Sequence, residues 1–169
     1  SIERRRELLS LLDEFADVFS DKPGLCTAVK HEIVTVPDFK PKSFKAYRIP
    51  EILKAEVDRQ IKQLLEWGFI RPSESPMASP IVCVVKKDGS IRMAVNYQYL
   101  NAYTVADAYP MPCVDDVMYK IAQANYISCF DATAGFWQLK MHEASAWLTG
   151  FATHSGLFEW LRCPFGLKN

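Results

Sequence analysis

The sequence predicts an α+β protein, and three observations carry that expectation. Residues 3–19 and 50–67 repeat apolar side chains at helical spacing. Two pairs of short apolar runs, 81–85 with 91–95 and 150–153 with 157–161, flank Gly-containing turns and read as antiparallel hairpins. With 169 residues, 49% of them hydrophobic, the chain can bury a core and suits one domain or most of a larger one.

The first helix is predicted from Leu8, Leu9, Leu11, Leu12, Phe15, Val18 and Phe19, and Asp21-Lys22-Pro23-Gly24 supplies turn chemistry to end it. His31 to Val36 has the composition of a strand, closed by Pro37. Residues 37–50 hold three prolines and four basic residues and are expected to run extended over a surface. Pro50 and Glu51 open a second helix with apolar Ile52, Leu53, Val57, Ile61, Leu64 and Leu65, and Gly68 provides its stop. Residues 69–80 read as a proline-punctuated loop. In the first hairpin Asp88-Gly89 makes the turn. Residues 96–112 read as a loop with a cluster of Tyr97, Tyr99, Tyr103 and Tyr109, and 114–124 as a helix. Tyr126 to Asp131 is expected to be an apolar strand ending in an acid, and His154-Ser155-Gly156 turns the last hairpin.

Composition narrows the function classes. Formal net charge is zero, yet residues 30–62 carry eight Lys/Arg against five Asp/Glu, while 93–169 carry four against six. A basic front and an acidic back suit a site that grips phosphate on one side and cations on the other. On charge alone, two ordinarily solvated surfaces are the better reading. Cys26, Cys83, Cys113, Cys129 and Cys163 form no C-x-x-C pair, and His31, His142 and His154 lie at no zinc-site spacing to them. The odd count, with Cys83 and Cys129 in apolar runs, points to reduced, mostly buried thiols in an intracellular protein. No apolar run approaches membrane-span length and no signal peptide is visible, so neither membrane insertion nor secretion is expected.

Asp131 is the leading candidate for chemistry. A strand-end carboxylate followed by the slim residues Ala132, Thr133, Ala134 and Gly135, then Phe136-Trp137, suits metal-dependent phosphoryl or nucleotidyl transfer. Taken alone, a strand-ending Asx turn is the better reading. Asp115-Asp116 are explained by the dipole of the helix they open. No Ser or Cys sits in a nucleophile elbow, so a hydrolase triad lacks support. Lys86, Lys87 and Arg92 on the hairpin, taken alone, read as a solvated edge; the other reading is an arm that closes on a triphosphate.

The order of motifs carries more than any one of them. G-F-I-x-P-S-x-S-P-x-x-S-P-I-V-x-V-x-K-K-D-G-S-I-R is followed by N-Y-x-x-L-N-x-x-T, Y-P-M-P-x-x-D-D-V, F-D-A-T-A-G-F-W-Q-L and G-x-F-E-W-x-x-x-P-F-G-L-K-N. Over residues 68–169 this closely resembles reverse transcriptases of Ty3/gypsy-type long-terminal-repeat retrotransposons, and more distantly the retroviral enzymes. The resemblance implies a partial right-hand polymerase. Residues 1–49 would be a leader helix with a basic extended segment, 50–125 the fingers with hairpin 81–95, and 126–169 the first part of the palm.

That resemblance also implies site roles. Asp131 would be the first catalytic aspartate and bind both Mg2+ ions, with the Ala132 carbonyl as a further ligand. The amides of Ala134 and Gly135 would cradle the incoming triphosphate, and Lys86 or Lys87 with Arg92 would contact it from the fingers. Phe136 would lie under the sugar and exclude a 2′-hydroxyl, and Phe165 would pack against nucleotide and template. The implied reaction is RNA-directed DNA synthesis from dNTPs on an RNA or DNA template with a primer. Implied partners are the remainder of the Pol polyprotein (thumb, RNase H, integrase), and the implied setting is a cytoplasmic particle.

Two departures bear on this. Asn96-Tyr97-Gln98 stands where Asp-Tyr-Arg is usual, which removes an expected charge pair. The second metal-binding element, Tyr-x-Asp-Asp, is expected after Asn169, so the chain alone is expected to be inactive. A palm sheet without that hairpin would expose a strand edge and favour poor solubility. The other reading is a non-catalytic domain, derived from a captured retroelement, that binds nucleic acid or protein.

Overall fold

Helix α1 (Ile2–Glu14) begins where the apolar stripe predicts and stops at Glu14, with a short 3-10 turn at Ala16–Val18. The computed structural model describes residues 2–87 and 89–169. Strand β1 (Cys26–His31) precedes the predicted strand, and helix α2 (Glu51–Glu66) matches its prediction. Gly68 follows α2 at φ 68°, the left-handed conformation that a helix-terminating residue needs. Next come β2 (Ile70–Pro72), β3 (Ser79–Val85), β4 (Ile91–Val95), α3 (Gln98–Tyr103) and α4 (Val114–Ala122). A 3-10 turn at Gly135–Gln138 leads into β5 (Leu139–Met141), and α5 (Glu143–Ala146), β6 (Phe151–Ala152) and β7 (Leu157–Trp160) complete the order.

Five strands form one sheet in the order β2-β7-β6-β3-β4, and β1 pairs parallel with β5 in a second. Both predicted hairpins form: Ile81 faces Val95 through Val85 facing Ile91, and Phe151 faces Phe158. Asp88 of the predicted Asp-Gly turn lies outside the described residues. Val57, Ile61 and Leu64 point one face of α2 into the core beside Phe69, Ile81 and Phe151, the i, i+4, i+7 spacing of an amphipathic helix.

Tyr97 is buried to 2% exposure, and its hydroxyl donates to the Thr149 carbonyl at 2.9 Å. The Thr149 hydroxyl donates to Ala146 O and accepts the Trp160 amide, so one buried residue ties the β4–α3 corner to β7. Across β2 and β7, Arg71 sits opposite Glu159, which is nearly buried. Its guanidinium donates to Glu159 at 2.7 Å and meets Glu143 at 2.9 Å. A buried carboxylate is tolerable because it is paired in this way.

Several expectations are corrected. Tyr126 to Asp131 forms no strand; Tyr126, Ile127 and Phe130 are exposed, and no strand among the described residues lies beside them to supply a ladder. Strand composition without a partner leaves backbone groups to water. Residues 33–36 pair through a single bridge, Thr35 to Thr104, while the regular strand falls on 26–31, where β5 is available. Within 69–80, Ile70–Pro72 is a strand; proline is tolerated there because β2 is the sheet's outer strand.

The 96–112 loop contains α3, whose Leu100 is fully buried; a six-residue helix is too short to show a stripe. Tyr99 and Tyr103 cluster with Phe39, whereas Tyr109 is exposed. Only Cys163 is buried, and Cys113 and Cys129 are exposed because 105–133 are exposed throughout. The α1 stripe, too, buries no residue. Among the described residues no helix is long and apolar enough to cross a membrane.

Gly150 is required for space. A Cβ there would lie 2.1 Å from the Met77 carbonyl oxygen, a backbone atom that cannot swing away. Gly150→Ala is expected to cost about 3 kcal/mol or more of unfolding free energy, read as a lowered urea midpoint.

Candidate functional site

The candidate site is built where the chain turns from the exposed 126–133 segment into β5. Ala134 takes φ 45° and ψ 52°, and among the described residues it is the one non-glycine at positive φ. The left-handed residue reverses the chain. The 3-10 turn then closes through Gly135 N–H to Ala132 O at 3.2 Å and Trp137 N–H to Ala134 O at 2.8 Å. Gly135 matters here, since a Cβ would come within 3.3 Å of the Ala132 methyl. The sequence D-A-T-A-G thus sets Asp131, Ala132, Ala134, Gly135 and Phe136 around one bend.

These five residues, with Leu139 and Phe165, line a shallow cavity of about 580 Å³. Phe136 and Phe165 meet edge to face at 5.3 Å, and Phe165 meets Trp137 the same way at 5.5 Å. Trp137 continues to Trp160 at 5.8 Å, and Trp160 to Phe151 at 5.9 Å. An unbroken line of rings therefore runs from the buried sheet to the cavity lip. Arg92, paired with Val84 one step below the hairpin turn, places its guanidinium 5.0 Å over the Phe165 ring, a cation–π contact.

The structure brings Asp131, Ala132, Ala134, Gly135, Phe136 and Phe165 together and adds Arg92 through Phe165. Lys86 and Lys87 are exposed on the hairpin turn, away from the cavity lining; Lys86 N–H donates to Ser90 O at 2.7 Å and accepts Gly89 N–H through its carbonyl. Asp131 is exposed at the cavity. Its carboxylate and the Ala132 carbonyl are hard oxygen donors of the kind Mg2+ prefers. Among the described residues no group of three His, Cys, Asp or Glu could hold a metal ion. One carboxylate beside a carbonyl already engaged by Gly135 therefore does not fit a two-ion centre by itself. Asp115 and Asp116 lie in the first turn of exposed α4, as the dipole argument expects.

Sequence reasoning missed three participants. Leu139 completes the cavity wall. The N-terminal segment reaches the other side of Asp131: Leu11, Leu12, Phe15, Val18 and Phe19 line a larger cavity of about 1030 Å³ whose opposite wall is 130–133. Arg162 fastens this arrangement, donating to Gly24 O at 3.2 Å and Trp137 O at 3.4 Å and lying 5.1 Å over Phe69. Burial lowers its pKa from the usual arginine value. The available signal was an arginine inside the apolar run 157–167. Burial also pushes the neighbouring Cys163 thiol up to about 11, which makes it an inert packing group.

Comparison with known proteins identifies the family and the fold. The family model described as reverse transcriptase (RNA-dependent DNA polymerase) matches residues 84–169. The retrovirus-related Pol polyprotein from transposon opus of Drosophila melanogaster is 42% identical over 172 residues, covering 96% of this chain and 17% of that protein. Among solved structures, the prototype foamy virus protease–reverse transcriptase superposes with a TM-score of 0.84 at 26% identity, over 99% of this chain and 23% of its own. The foamy viral protease–reverse transcriptase in complex with RNA/DNA hybrid shares the fold, with a TM-score of 0.79 at 22% identity over 100% of this chain and 23% of its own.

The chain belongs to the reverse transcriptase family, and its α+β fold is part of that polymerase fold. The retrotransposon resemblance read from the ordered motifs is borne out. The chain spans about a sixth of the length of the Pol polyproteins it matches.

Ala134 holds a conformation that L-residues reach at a cost of about 1 kcal/mol. Ala134→Gly is expected to raise stability by up to about 1 kcal/mol, read as a higher denaturation midpoint. A fall would show that the Ala134 methyl packs usefully at the bend.

Proposed function

We propose that this chain supplies the fingers and the first part of the palm of an RNA-directed DNA polymerase, with residues 1–49 as leader, 50–125 as fingers and 126–169 as palm. The observation that carries the reading is the single cavity gathering Asp131, the Ala134–Phe136 bend and Phe165, with Arg92 poised over Phe165. An intracellular setting belongs to the same proposal.

Each residue has a role its chemistry suits. The Phe136 ring, about half exposed at the cavity, offers a flat floor for a sugar and would leave no room for a 2′-hydroxyl. Arg92 presents a planar fork suited to phosphate oxygens, and Lys86 and Lys87 add mobile point charges on the same hairpin. The Ala134 and Gly135 amides lie on a bend whose left-handed residue resembles the start of an anion nest. Template sequence would be read by base pairing and template shape by the protein, since a polymerase must copy any sequence. The likeness to a foamy viral enzyme solved with RNA/DNA hybrid supports a template–primer as partner.

Asp131 is proposed as one ligand of a two-magnesium centre whose other carboxylates come from a Tyr-x-Asp-Asp element after Asn169. The residues present do not complete that centre, so the chain by itself is expected not to polymerise. Asn96 Oδ1 accepts the Gln98 amide at 3.1 Å and closes a local turn at the departure from Asp-Tyr-Arg.

Primer extension on an RNA template with Mg2+ and dNTPs should give no incorporation by the purified 169-residue chain. Incorporation that disappears in Asp131→Ala would refute the inactivity. In a polymerase that includes the Tyr-x-Asp-Asp element, Phe136→Ala should weaken discrimination against ribonucleotides by roughly tenfold or more, measured as the ratio of kcat/KM for dNTP and rNTP. Unchanged discrimination would remove Phe136 from the sugar site.

A further inference from the structure

Gln60 is a polar side chain of α2 that bonds to the backbone of another element. Its Nε2 donates to the Ile91 carbonyl at 2.7 Å, and its Oε1 accepts the Met93 amide at 3.2 Å. Both groups belong to β4, an end strand of the five-stranded sheet. The side-chain amide takes the place that the peptide group of a further strand would occupy.

The residue between those two contacts is Arg92. Side chains alternate along a strand, so Arg92 leaves β4 on the face opposite to Ile91 and Met93. There its guanidinium lies over the Phe165 ring at the cavity that holds Asp131. Among the described residues Arg92 forms no ion pair with a carboxylate. The aim of the guanidinium therefore depends on the ring it rests on and on where β4 sets its Cα.

The orientation of the Gln60 amide follows from its neighbours. Nε2 meets two acceptors, Ile91 O and Glu56 Oε1 at 2.8 Å, while Oε1 meets a donor. Turned over, the oxygen would face two oxygens and the NH2 group would face an N–H. Glu56 is itself gripped by Arg59 at 2.6 and 2.7 Å, and Val57 and Ile61 bury the other face of the helix in the core. A core-packed helix thus holds β4 at two points, one on each side of Arg92. Capping an open strand edge is one use of such an amide. Its placement around the one residue of β4 that reaches the candidate site points to a second.

We propose that Gln60 is a positioning residue for nucleotide binding. By holding Ile91 and Met93 it fixes the backbone under Arg92, and so the place where the guanidinium would meet a triphosphate. Arginine's long stem turns a small backbone rotation into a larger displacement of its head, and misplacing a binding group by about 1 Å can cost up to about 100-fold. The proposal rests on the reading of Arg92 as a phosphate contact.

The test uses a polymerase that contains this chain together with the Tyr-x-Asp-Asp element, extending a DNA primer on an RNA template with Mg2+ and dNTPs. Gln60→Met keeps the side-chain length and removes both donor and acceptor. It should raise KM for dNTP roughly fivefold or more, change kcat by less than about twofold, and leave Kd for the template–primer unchanged. Gln60→Glu keeps an acceptor for Met93 but turns a carboxylate toward Ile91 O and Glu56, and should raise KM at least as much. Arg92→Ala should raise KM for dNTP further. In the Arg92→Ala background Gln60→Met should add less than about twofold, because no guanidinium is left to place.

Full multiplication of the two effects in the double variant would overturn the proposal, since a general loosening of the fold acts whether or not Arg92 is present. An unchanged KM in Gln60→Met would overturn it too and leave the amide as an edge cap alone. Circular dichroism melts show whether each variant is folded. If Gln60→Met is not, Gln60→Glu carries the same cycle, and loss of folding in both would assign the amide to the fold and overturn the proposal. Failure of the Arg92 reading looks different: Arg92→Ala without effect on KM for dNTP would remove Arg92 from the nucleotide site, and the positioning role of Gln60 with it.

Discussion

The line of rings from Phe151 through Trp160, Trp137 and Phe165 to Phe136 is the contact on which the rest of the site depends. Aromatic pairs gain both buried area and favourable edge-to-face electrostatics, so each ring fixes the orientation of the next. Phe151 and Trp160 are buried in the five-stranded sheet, while Phe136 is half exposed at the cavity. The line converts packing in a rigid core into the position of a ring at the surface. Arg92 extends it to the β3–β4 hairpin through its place over Phe165, so the hairpin arm and the cavity floor share one anchor.

Around that line, polar chemistry divides into fastened and free groups. Arg71 is held by Glu159 and Glu143, Arg59 by Glu56, and the Thr149 hydroxyl by two backbone groups. These hold elements together. Glu56 is kept down near 2 chiefly by the hydrogen bond from Arg59, the mark of a carboxylate committed to a structural pair. Among the described residues, Asp131, Lys86, Lys87 and the 40–48 cations form no ion pair, and they face solvent. Groups left unneutralised on an ordered surface are the ones available to phosphates and metal ions.

Legibility in the sequence followed the range of the physics. Helix α2 and the two hairpins were readable because their signals are local: apolar spacing on α2, Gly68 at its end, and Gly89 and Gly156 in the turns. Strand β2 was hidden because Pro72 looks like a breaker until one knows that it lies on the outer strand. The Tyr126–Asp131 run had strand composition but no partner strand beside it among the described residues, and composition alone cannot supply a ladder. Helix α3 was hidden by its length, since six residues make too little of a period to see.

For the candidate site, the ordered motifs alone determined the family and singled out Asp131, the Ala134–Phe136 bend and Phe165, because each is tied to its neighbours in sequence. Tertiary structure alone decided that Phe165 and Phe136 share one cavity, that Arg92 reaches it by stacking on Phe165, and that the N-terminal apolar stripe faces the far side of Asp131. Those relations join residues tens of positions apart, and no local propensity encodes them. They follow from how the sheet order β2-β7-β6-β3-β4 brings the hairpins side by side and from which rings then find room to meet.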